Sequence, residues 1–188
     1  MKTFEYVTIL FSILLGVCIT QMATNIVLVI QNVNKSVLYA PPILWNAAAL
    51  LAILAHWVHF YKASGREKWN ALHLSIVFIT PLIYFIPATL LEKAPQVAGL
   101  LDYKMLFESN KVLIYVTVLL FASFTMAQNY FVYDNRKVFV YAYYSLAMML
   151  VAVALIADSP AFDNILAIAI FISEILHHYV IKPIKISP

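Results

Sequence analysis

Six stretches of this chain are almost wholly apolar, and short polar segments separate them. They run over about 4–31, 41–62, 70–91, 111–133, 137–157 and 162–181. A membrane-crossing helix needs about 20 mostly apolar residues, and each stretch supplies that length. The pattern predicts an all-α integral membrane bundle of six transmembrane helices in one domain, 1–188. The breaks are polar or carry turn-forming residues: Asn32 to Lys35, Lys62 to Lys68 with Gly65, Asp134 to Lys137, and Asp158-Ser159-Pro160. The longest connection, Glu92 to Lys111, holds Val97, Leu100, Leu101, Met105 and Phe107. These residues either line one face of a helix lying flat at the membrane interface or belong to a plain loop. The first stretch reads as a retained helix. Glu5 comes early, the apolar run is long for a signal core, and no A-x-A site follows.

Composition agrees with the pattern. Of 188 residues, 64% are hydrophobic and 11% charged, with a mean hydropathy of +0.88. Soluble domains run at about 45–50% apolar and about 25% charged, so lipid is the natural solvent here. The net charge of +3 is topological and does not predict nucleic-acid binding. Lys2, Lys62, Arg66, Lys68, Arg136, Lys137, Lys182 and Lys185 fall on one side, eight in all. Lys35, Lys93, Lys104 and Lys111, four in all, fall on the other. Basic residues concentrate on the cytoplasmic side, so both termini are expected in the cytoplasm. Cys18 is the single cysteine, which rules out an intrachain disulfide and suits a small packing residue.

The first stretch carries small residues every fourth position: Thr8, Ser12, Gly16, Thr20 and Thr24. Such rows let membrane helices approach closely, so Ser12, Gly16, Thr20 and Thr24 are read as a helix-packing ridge, against the bundle or another subunit. Gln21 and Asn25, one turn apart, are candidates for hydrogen bonds between helices, with Asn46 as a partner. Pro81 and Pro87 interrupt the third stretch, and proline removes a backbone hydrogen bond and kinks a helix. One interrupted helix among five regular ones resembles a rigid bundle more than a rocking carrier.

Ionisable residues inside a membrane mark functional sites. His56, His59, Gln128, Asn129, Glu174, His177 and His178 all fall in the cytoplasmic half of descending helices, with Glu5 and His73 beginning ascending ones. Glu174 shares a helix face with His177 and His178 at i+3 and i+4. Three readings compete. Glu174, His177, His178, His56, His59, Glu5, Gln128 and Asn129 form a pore or proton path. Alternatively, His56, His59, Glu174, His177 and His178 ligate a divalent metal or haem, although the paired Glu-x-x-His motifs of di-metal bundles are incomplete here. In the third reading the histidines sit at the interface and hydrogen-bond locally. No phosphate-binding glycine loop, nucleophile elbow or H-E-x-x-H motif occurs, so no catalytic residues are assigned and a non-enzymatic role is favoured.

The run Phe4-Glu5-Tyr6-Val7-Thr8-Ile9-Leu10-Phe11-Ser12-Ile13-Leu14-Leu15-Gly16-Val17-Cys18-Ile19-Thr20-Gln21 resembles the first helix of a group of small bacterial polytopic membrane proteins. Their helix reads E-Y-x-x-x-L-x-S-I-x-L-G-x-x-I-T. The resemblance implies a location in the bacterial inner membrane and no catalytic activity. The expected function is therefore a pore- or transport-type protein for an ion or small polar solute, working without a cofactor as a homo-oligomer in the lipid bilayer. Its alternatives are a His-ligated metal or haem redox protein and an accessory subunit of a larger membrane complex.

Overall fold

The computed structural model describes residues 3–61, 69–90, 94–134 and 136–176. Its helices are α1 (Thr3–Gln31), α2 (Ala40–Tyr61), α3 (Ala71–Ala88), α4 (Tyr103–Ala127), α5 (Val138–Ala157) and α6 (Pro160–Ile175). A π-helical turn, Gln128–Val132, continues α4. Five of these segments are long and apolar enough to cross a membrane, and α6 is 16 residues long as described. The chain is thus built as an all-helical, multi-pass membrane protein. His177 and His178 lie outside the described residues.

The helices close a ring. α1 packs on α2 and α3, α3 on α4, α4 on α5, α5 on α6, and α6 on α2, while α2 also touches α3 and α4. Two apolar clusters fill it. Phe11, Leu15, Cys18, Met22, Ile53, Phe60 and Val77 join α1, α2 and α3. Trp45, Phe107, Tyr115, Val151, Ala154 and Leu166 join α2, α4, α5 and α6. The outward surface is also apolar: Ile13, Leu82, Leu146, Ile156 and Ile165 are all more than half exposed. A soluble protein of this size rarely presents so much contiguous apolar surface, and a bilayer removes the cost.

At one end, strands β1 (Ser36–Val37), β2 (Gln96–Val97) and β3 (Leu100–Asp102) form a small sheet in the order β1-β3-β2. It ties the α1–α2 connection to the α3–α4 connection. We call this the acidic end, and the opposite end, where α4 passes into α5 at Arg136 and Lys137, the basic end. The long connection is therefore neither a flat interfacial helix nor a plain loop. β2 and β3 form a hairpin whose two turn residues, Ala98 (φ 50) and Gly99 (φ 82), are both left-handed, the geometry that matches strand twist in the tightest hairpins. α4 then starts at Tyr103, well before the predicted 111. Asp102 caps it, accepting from the Lys104 and Met105 amides at 2.9 Å each, a contact that contributes about 1 kcal/mol. The added turns bury Tyr103, Leu106 and Phe107.

The ridge on α1 does not pack within the chain. The buried face is Val7, Phe11, Leu15, Cys18, Met22, Asn25 and Val29, at near-helical spacing. Gly16, Thr20 and Thr24 are exposed, and a Cβ added at Gly16 would meet nothing within 4 Å. The Thr20 and Thr24 hydroxyls each donate to the carbonyl one turn back, at 2.9 Å. Ser12 alone reaches another helix, accepting from Trp57 Nε1 at 3.2 Å.

α3 is held by its neighbours' polar side chains. Helix C-termini leave carbonyls without partners, and Asn25 Nδ2 donates to Ala88 O at 2.6 Å while Asn46 Nδ2 donates to Pro87 O at 3.5 Å. Both asparagines thus bond between helices, to α3 backbone.

Candidate functional site

Helix α6 presents one stripe to the interior: Asp163, Ala167, Ile170 and Glu174, spaced i, i+4, i+7 and i+11. Asp163 and Glu174 are both buried, at 3% and 6% exposure. At the helical rise they stand roughly 16 Å apart along the axis. The carboxylates therefore mark two sites at different depths.

At the basic-end site, Glu174 lies at the wall of a partly open cavity of about 80 Å³. Five helices line it: α2 through Trp45 and Ala48, Ala49 and Ala52, α3 through Tyr84, α4 through Phe121, α5 through Tyr143 and Tyr144, and α6 through Glu174. Three small alanines on α2 open the space, and the aromatic rings bound it. Ser173 Oγ donates to Ile170 O at 2.8 Å. Its proton so placed, the Tyr143 hydroxyl proton is directed between Ser173 Oγ at 2.9 Å and Glu174 Oε1 at 3.4 Å. A tyrosine donor steadies a carboxylate that helix packing would otherwise desolvate. Among the described residues, Tyr84 Oη and Trp45 Nε1, both on the wall, have no hydrogen-bond partner. Buried polar atoms normally have one; these two are exceptions. No described lining residue is Lys, Arg or His.

The acidic-end site lies on the same stripe. Asp163 accepts from Tyr115 Oη at 2.6 Å and pairs through its other oxygen with Lys111 Nζ at 3.0 Å. Lys111 also reaches Asp158, at 3.0 Å. Asp158 ends α5 in the left-handed conformation (φ 40), which aspartate tolerates. Tyr39 stands beside this cluster; burial first, and then the Asp163 charge, push its hydroxyl above the usual tyrosine range. Trp45 packs edge-on to Tyr115, with ring centroids 6.1 Å apart, so the cluster adjoins the cavity's acidic end. Sequence reading placed Lys111 among the four basic residues of the less basic side and assigned it no partner. Nothing local marks Lys111 and Asp163 as partners, because their pairing follows from α4 and α6 lying in one ring.

The remaining predicted site residues separate. Glu5 is exposed in the first turn of α1. The His59 ring nitrogen Nδ1 bonds Ala55 O at 2.8 Å, within its own helix. His73 completes a capping box with Asn70 at the start of α3. His56 is buried, with its ring 6.0 Å from Phe11 of α1. Asn129 donates to Thr125 O at 2.8 Å. Gln128 is fully buried and donates to Thr80 Oγ1 at 2.6 Å and Ile76 O at 3.3 Å, where Pro81 interrupts α3. Gln128 thus joins α4 to α3, and the Thr80 hydroxyl adds a bond to Ile76 O at 3.0 Å. Of the six described pore candidates, Glu174 is the one placed on the cavity wall; His177 and His178 lie outside the described residues. Among the described residues no three His, Cys, Asp or Glu side chains come together as metal ligands. Comparison with protein-family models, curated proteins and solved structures found no match.

Proposed function

We propose that this chain is a transport-type membrane protein for an ion or small polar solute, with Glu174 as the group that engages the carried species. The supporting observation is the buried Glu174 carboxylate at the wall of a cavity lined by five helices. An ionisable group at that depth is costly and is kept for a function or paired for structure. The Tyr143 hydroxyl bonds the carboxylate and the cavity adjoins it, which suits the first of these. The interfacial reading of the histidines is supported for His59 and His73 by their local bonds, and Glu174 is the described candidate that borders the cavity. The reading extends to six spans, with α6 as the last, and to both termini in the cytoplasm of a bacterial inner membrane. The eight-to-four division of basic residues and the α1 resemblance support that arrangement. Gly16, Thr20 and Thr24, facing outward, are available to a second copy or another subunit.

Two measurements test this. Reporters fused after Pro188 and inserted at the Ala98-Gly99 turn are expected on opposite sides of the membrane; the same side for both rejects the topology. For transport, the protein in liposomes on a capacitive sensor is given jumps of pH, inorganic cations, organic ammonium salts and uncharged polar solutes. At least one jump should displace charge or deliver solute through the parent, and Glu174→Gln, incorporated equally, should abolish it. No protein-dependent signal for any jump, or an undiminished signal in Glu174→Gln, overturns the reading.

A further inference from the structure

A layer of aromatic rings shuts the cavity toward the acidic end. Trp45 and Ile114 line the cavity on that side, and Ile114 follows Lys111 by one turn of α4. Beyond them, Tyr115 packs edge-on to Trp45 at 6.1 Å and to Phe107 at 6.0 Å, and Phe107 meets Tyr39 at 5.5 Å. Tyr115 and Phe107 are fully buried. The layer is tied to α6 by Asp163, which accepts from Tyr115 on one oxygen and from Lys111 on the other.

That tie is built to release. A buried ion pair nearly balances its mutual attraction against the desolvation of both charges, so the dry pair and the separated, wetted pair lie close in free energy. Lys111 also holds a second acceptor already. Its Nζ stands 3.0 Å from Asp163, whose side chain is 4% exposed, and 3.0 Å from Asp158, whose side chain is 90% exposed. A lysine stem can stay against protein while its ammonium moves out to water. Transfer to Asp158 alone therefore leaves Lys111 paired, and water that follows it in takes its place at Asp163. We propose that Lys111 is the bolt of a gate at the acidic end of the cavity, shut while it bonds Asp163 and open while Asp158 alone holds it. This inference rests on the transport reading in taking the cavity as the space that is gated, but access can be measured without transport.

The test places a thiol on the cavity wall. Thr117 lines the cavity and is buried, and Thr117→Cys is treated with methyl methanethiosulfonate in the full-length protein in detergent. The reagent adds only a thiomethyl group, small against a cavity of about 80 Å³, and mass spectrometry follows its addition. A buried thiol reacts through the open population, so its rate reports the gate. Native Cys18, buried in the other apolar cluster, reports general loosening. Adding Asp163→Asn keeps an acceptor for Tyr115 but removes the inner charge. It should speed reaction at Thr117→Cys at least about tenfold, the scale of a lost charged hydrogen bond, with Cys18 unchanged. Asp158→Asn, which suits the left-handed backbone there, removes the outer seat and should slow the reaction about threefold, the scale of an exposed ion pair. These opposite signs distinguish a gate from a structural anchor, which either change would loosen. No acceleration in Asp163→Asn overturns the inference, as does equal acceleration of Cys18, or a rate in Asp158→Asn that is unchanged or raised. The Asp158→Asn comparison decides the matter even if Asp163→Asn fails to fold. A gated thiol without any Glu174-dependent vesicle signal rejects the transport reading alone; a vesicle signal with an ungated thiol rejects the gate alone.

Discussion

Lys111→Met is expected to lower the unfolding free energy by about 3–5 kcal/mol, the cost of leaving a buried charge without its partner. Asp163 is 3% exposed and loses its cation in this variant, retaining only Tyr115. The same reasoning predicts rescue. Lys111→Met combined with Asp163→Asn removes both charges and keeps an acceptor for the Tyr115 hydroxyl. That double variant should recover most of the lost stability, because apolar or neutral replacement of a whole buried pair is often near neutral. Asp158→Asn should cost less than about 1 kcal/mol, since that carboxylate is 90% exposed and screened by water. Equilibrium unfolding in mixed micelles of the parent, Lys111→Met, Asp163→Asn, Asp158→Asn and the double variant reads these values. A Lys111→Met cost below about 1 kcal/mol, or a double variant as unstable as the sum of its parts, would mean that the cluster does not hold α4 against the α5–α6 turn.

That cluster also measures how far the sequence alone could be read. Apolar runs located α1, α2, α3 and α5 to within a few residues, because a lipid-facing helix cannot hide its hydrophobicity. The start of α4 was missed for the converse reason. Its first turns carry Lys104, Glu108 and Lys111, and they project toward the sheet at the acidic end, where polar residues are tolerated. A charged, amphipathic helical turn and a polar loop look alike in hydropathy. The hairpin was equally hidden, since its left-handed turn uses Ala98 ahead of Gly99 in place of the Asn-Gly pair that announces such turns.

The site was legible only as single residues. Glu174 stood out by depth, a property of one position. Whether a polar side chain then faces a cavity, a neighbouring backbone or its own helix depends on rotation about the helix axis and on which helices are neighbours. Gln128 shows the difference. It lies at the right depth for a path, yet it turns to α3 and serves the backbone around Pro81. Gly16 shows it again. A four-residue spacing lies close to the helical repeat on either face of α1, and the bundle took the face with Phe11 and Leu15 because large side chains fill the space between three helices.

The cavity itself is the feature no sequence pattern announced, and filling it separates stability from function. Ala49 on α2 lines it, and Ala49→Leu adds three carbons to an apolar space. Filling a cavity typically stabilises by about 0.5–2 kcal/mol, so the melting midpoint should hold or rise. The Glu174-dependent vesicle signal should fall at least about tenfold, as a solute that must sit there loses its volume. Ala142→Leu makes the same chemical change at an exposed position on α5 and should alter neither. A lowered midpoint in Ala49→Leu would show overpacking, in which case the space was not free to take a ligand. An intact midpoint with undiminished signal would place the path of the solute elsewhere, and Glu174 would then be a structural partner of Tyr143 and Ser173.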